Sequence, residues 1–108
     1  MKLVLAIVGN DDVPVAISEL MRAGFFVTKL SSSGGFLHAG NTTLMIGVED
    51  ARVDAVRELI GQYCKKRRQL APPSPAHFAE GLATSLPIEI TVGGATVFVL
   101  DVDDFEKV

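Results

Sequence analysis

The stretch Lys2–Leu30, KLVLAIVGNDDVPVAISELMRAGFFVTKL, decides the fold. Lys2 to Val8 is short, continuously apolar and followed at once by polar turn residues, which predicts a central strand buried on both faces. Asn10, Asp11 and Asp12 offer oxygens for capping a helix, Pro14 suits a first turn, and Val13, Ala16, Ile17, Leu20 and Met21 recur at helical spacing. The two aspartates also look like a metal or acid–base pair, but capping accounts for both. Gly24 closes the helix as a left-handed residue just past its end. Phe25 to Leu30 is then a second strand by its aromatic and β-branched content.

Working outward, Asn41 to Val48 reads as a third strand, and a second helix begins near Glu49 and Asp50. That helix places Val53, Val56, Leu59, Ile60 and Tyr63 on an inward stripe and Arg52, Asp54, Arg57, Glu58 and Gln62 away from it. It ends near Lys65, Lys66, Arg67 and Arg68, where positive charge complements the helix dipole, so the basic run reads as a solvated helix end rather than a phosphate patch. From Gln69 to Leu86 the periodicity fails and Pro72, Pro73 and Pro75 accumulate, which predicts a long loop, mobile from Gln69 to Ser85 without ligand. Ile88 to Val92 alternates as a strand, Gly93-Gly94 forms a tight hairpin turn, and Ala95 to Val102 returns as a final strand. The order is that of a single α+β domain over residues 1–108, a ferredoxin-like βαββαβ sandwich with an extra C-terminal strand. With both helices on one face, the other face of the sheet needs a partner, which a homo-oligomer supplies.

The 108 residues include 48% hydrophobic and 21% charged side chains, enough for one continuous core and against intrinsic disorder. The net charge of −3 argues against nucleic-acid binding, which needs a basic surface. Leu3 to Val8, the longest apolar run, is too short to cross a bilayer and lacks the features of a signal peptide, so a cytoplasmic protein without a membrane span is expected. The single cysteine, Cys64, excludes an intrachain disulfide and reads as a buried spacer. His38 and His77 fall in predicted loops with no partnered nucleophile, and Asp101, Asp103 and Asp104 form an ordinary solvated strand end, so neither catalysis nor a metal site is expected.

The connection between the second and third strands carries more. Gly34 and Gly35 let backbone N–H groups approach an anion, and Phe36 and Leu37 provide apolar cover for a flat ring. Asn41 offers the donor and acceptor needed to read an adenine edge. Each feature alone makes a turn, packs a loop on its core or caps a strand; together they suit a nucleotide.

Thr28-Lys29-Leu30, Gly34-Gly35-Phe36-Leu37, Ala39-Gly40-Asn41-Thr42-Thr43 and Val92-Gly93-Gly94-Ala95-Thr96-Val97-Phe98-Val99 strongly resemble the PII-like cyclic di-AMP receptor family. The likeness spans nearly the whole chain and extends to Gly47, Arg52-Val53-Asp54 and Pro87. It implies a PII-like signal-transduction protein without cofactor or catalytic activity, a homotrimer holding cyclic di-AMP in the clefts between subunits. Loop rearrangement would then signal to an unnamed downstream protein. It further implies that Asn41 and the Gly47 backbone read one adenine, that Gly35, Phe36 and Leu37 hold phosphate and ring, and that Thr28 and Phe98 line the pocket. Two departures stand out: Phe26 occupies a position where the family often has arginine, and His38 one where it often has a basic residue. A trimeric interaction module of the same fold, answering to another adenine nucleotide or to none, is the alternative. A metal-tolerance-type trimer is disfavoured by the lack of clustered ligands.

Overall fold

Among the described residues eight α-helices and β-strands follow one another: β1 (Lys2–Gly9), α1 (Val13–Arg22), β2 (Val27–Leu30), β3 (Asn41–Val48), α2 (Val53–Tyr63), β4 (Arg67–Ala71), β5 (Ile88–Val92) and β6 (Ala95–Asp101). They come from a computed structural model that describes residues 1–30, 40–71 and 88–108. Four strands form an antiparallel sheet in the order β2-β3-β1-β6, with β1 paired to β3 and β6 along its length. Two helices inserted between strands in that order make the ferredoxin-like α+β plan expected from the sequence.

Alternation fixes the layers. Val4, Ala6 and Val8 on β1 and Leu44, Ile46 and Val48 on β3 are buried with Val13, Ala16 and Leu20 of α1 and Val53, Val56 and Ile60 of α2. Leu59 and Tyr63 pack partly against that core, as the inward stripe of α2 requires. Met21, assigned to the inward stripe of α1, is instead 57% exposed at the last turn, because the buried line of the helix runs through Val13, Ala16 and Leu20 and the next residue is turned about 100° from it. Leu3, Leu5 and Ile7 are only half-buried, so β1 is central but fully covered on one face only, because the described residues lay no second layer on the other. Gly24 has φ +92° directly after α1 and lets the Phe25 N–H reach back to the Leu20 carbonyl at 3.0 Å, the predicted helix stop. Phe25 is buried, and the Arg52 guanidinium lies 4.1 Å from its ring centre while bonding the Ala23 carbonyl.

Several sequence expectations are corrected. Asp11 and Asp12 make no side-chain cap: Asp12 is buried and its carboxylate receives the Arg67 guanidinium at 2.8 and 3.4 Å. The basic run is therefore no plain helix end, for Arg67 opens β4, and Arg67–Ala71 pairs with Ile88–Val92 where a loop was expected to begin. Gly93 and Gly94, at φ +81° and +88°, do not close a hairpin between β5 and β6 either; they carry the chain from the β4–β5 ribbon into the main sheet, and β6 is that sheet's edge strand. The two strands beyond the four-stranded sheet thus lie inside the chain. The rest of the expected long loop, residues 72–86, lies outside the described residues, as does the mobility expected there.

Cys64 sits at the base of this ribbon, 1% exposed, and its carbonyl accepts the Gly94 N–H at 2.5 Å. Burial, reinforced by the nearby Asp12 carboxylate, pushes its thiol above the usual value. The buried thiol thus favours the fold below its ordinary titration near pH 9.0, and that contribution is lost as pH rises through the higher folded value. A thiol reagent should label native protein far more slowly than unfolded protein at pH 8, and Cys64→Ala should remove part of the alkaline loss of stability. Equal labelling rates in the two states would contradict the placement.

Candidate ligand-binding site

The face of the sheet turned from the helices is read off the pairing. Thr28 stands opposite Met45, Met45 opposite Leu5, and Leu5 opposite Phe98, so one transverse row crosses all four strands. Thr28 and Phe98 end that row, about 14 Å apart at ordinary strand spacing. Asn41 and Gly47 share the same face of β3 but stand six residues apart, which is about 20 Å of strand. One adenine cannot touch both within a single chain, so their joint reading of one base, implied by the resemblance, does not follow from this chain alone. Gly35, Phe36, Leu37 and His38 lie outside the described residues.

Two recesses accompany these positions. The first, about 420 Å³, is lined by Asn41, Thr42, Lys29 and Leu30 together with Asn10 and the first turn of α1. Thr42 donates its hydroxyl proton to the Asn10 side-chain oxygen at 2.5 Å, and the Asn10 N–H donates to the Gly40 carbonyl at 2.7 Å, which holds the start of β3 against the end of β1. A helix N-terminus, an ammonium and an asparagine at one groove offer a phosphate and a base edge their complements. The role of Asn10 as more than a cap escaped the sequence reading; only the pairing of Gly9 with Asn41 brings these segments together.

The second recess, about 660 Å³, brings Thr28 and Gly47 together with Phe26, Met45 and, from the segment after β6, Phe105. Gly47 has no atom within 4 Å of where a Cβ would stand, so its backbone is open to a ligand. Phe98 lines neither recess; it is 46% exposed on the same sheet face, at β6. The structure therefore joins Thr28 to Gly47 and leaves Asn41 and Phe98 elsewhere. Phe105 lies in an acidic C-terminal segment that reads as a solvated end, its one signal being a lone aromatic among charges. Among the described residues no cluster of His, Cys, Asp and Glu has metal-binding geometry, and no helix is long and apolar enough to cross a membrane.

A family model described as cyclic-di-AMP receptor matches residues 1–108 of the chain. Among solved structures, a functionally unknown protein from Pediococcus pentosaceus ATCC 25745 is 41% identical, with a TM-score of 0.77 over 99% of this chain and 96% of that one.

Proposed function

The chain belongs to the cyclic-di-AMP receptor family, and from that premise we propose that it is a signalling receptor whose ligand is cyclic di-AMP and whose role is binding rather than catalysis. The observation that carries this reading is the match of the family model to the full chain. The geometry supports it: two recesses on one sheet edge region, one polar around Asn41 and one largely apolar around Gly47, offer separate places to a ligand with two bases. Because Asn41 and Gly47 of one chain are too far apart for one base, clefts between protomers of a homotrimer are the arrangement in which Thr28, Gly35, Phe36, Leu37, Asn41, Gly47 and Phe98 serve one ligand. The half-buried Leu3, Leu5 and Ile7 on the open face are the surface such an assembly would cover. Loop rearrangement on binding would pass the signal to a downstream protein in the cytoplasm.

Phosphate charge is met, in this reading, by Lys29 and the α1 N-terminus, since Phe26 stands where the family often has arginine. That aromatic, 86% exposed, is the observation favouring the second reading, a scaffold tuned to a different adenine nucleotide.

Asn41→Ala tests the assignment. Asn41 is exposed and its loss should leave the melting temperature of the free protein unchanged while weakening cyclic di-AMP binding by about 1–3 kcal/mol, the usual loss for one polar base reader. Unchanged affinity with lowered stability would make Asn41 a strand cap and nothing more.

A further inference from the structure

Phe26 is 86% exposed and Phe105 66% exposed, and both line the recess that contains Thr28 and Gly47. Neither ring belongs to the core, so folding does not account for them. Phe26 directly precedes β2, whose pairing of Val27 with Ile46 places position 26 beside Gly47. Phe105 comes from the segment after β6, which is anchored where the Val102 N–H donates to the Met1 carbonyl at 3.2 Å. Between these contributions the Gly47 backbone is bare, leaving a flat ring room to lie against it. Aromatic side chains that a monomeric fold leaves exposed at an apolar recess are the means by which nucleotide-binding surfaces hold bases, through stacking that any base face satisfies.

We propose that Phe26 and Phe105 form an aromatic clamp for a planar heteroaromatic ring, which on the receptor reading above is an adenine of the ligand, so that the C-terminal segment is part of the binding site. Thr28 supplies the nearby hydroxyl for the ring edge or ribose. The clamp also gives Phe26 a function in place of charge: the ring is held by stacking and the phosphates are met elsewhere.

The chain has no tryptophan, so Phe105→Trp places a single reporter in the cleft. Cyclic di-AMP should quench its emission on binding, whereas Met21→Trp, on the exposed end of α1, should not respond. Phe26→Ala and Phe105→Ala should each weaken binding about tenfold, with Phe26→Trp close to wild type. The melting temperature of each free variant should stay near that of the wild type, since neither ring is in the core. Wild-type heat with cyclic di-AMP, together with unchanged affinity in both alanine variants and an unquenched reporter, overturns the clamp and leaves the receptor reading standing. Quenching by ATP or AMP with no response to cyclic di-AMP supports the clamp and overturns the choice of ligand. No response to any of the three overturns both.

Discussion

Leu44→Ala should destabilise the protein by about 3–5 kcal/mol, the cost of a cavity at a site that cannot collapse. Leu44 is fully buried on β3, paired across to Ala6 on one side and Lys29 on the other, and shares its core with Leu20, Ile46 and Ile60. A central strand fixed on both sides cannot move inward to fill the space, so the lost contacts are not regained. For a domain of this size the melting temperature should fall by about 15 °C. Leu70→Ala is the matched control: Leu70 is 65% exposed on β4, and its truncation should change stability by less than about 0.5 kcal/mol. Urea unfolding of both variants checks the layer assignment; similar losses at the two positions would show that the open ribbon packs as tightly as the core.

The second large effect is expected at the base of the ribbon. Gly93 has φ +81°, and a Cβ there would stand 2.5 Å from the Lys65 carbonyl oxygen and 2.6 Å from Arg67 Nη1. The guanidinium can swing aside but the backbone oxygen cannot without disturbing the Gly94 N–H bond to Cys64. Gly93→Ala therefore combines left-handed strain with a backbone clash and should cost about 2–4 kcal/mol. Gly94, at φ +88°, would meet only the Lys66 side chain, nearest at 3.4 Å, so Gly94→Ala should cost about 1 kcal/mol, from strain alone. Equal costs for the two glycines, measured by urea unfolding, would remove the close approach of residues 65 and 93.

The helices and the first three strands are legible in the sequence because each buries one stripe or face, and burial writes its period into the residues. Asn41–Val48 is found with its bounds intact, since alternate positions there meet different surroundings. The β4 strand is not legible: Arg67, Arg68 and Leu70 are exposed, and pairing through the backbone leaves no apolar period. Asp12 is misread for a related reason. A carboxylate just before a helix looks like a cap, and only the fold reveals an arginine fifty-five positions later reaching it. At the candidate site, Thr28 and Gly47 are brought into one recess by strand pairing, whereas Phe105 reaches it from a segment whose charges signal only solvent. Asn41 stands out in the sequence by its donor and acceptor, and its separation from Gly47 follows from their standing six residues apart on one strand.

Membership in the receptor family makes one measurement decisive. Calorimetric titration of the wild-type protein with cyclic di-AMP should give a saturable heat, while cyclic di-GMP, whose guanines present a different edge to Asn41, should give none in the same range. Absence of heat with cyclic di-AMP at submillimolar concentration would contradict the account and turn the search to other adenine nucleotides.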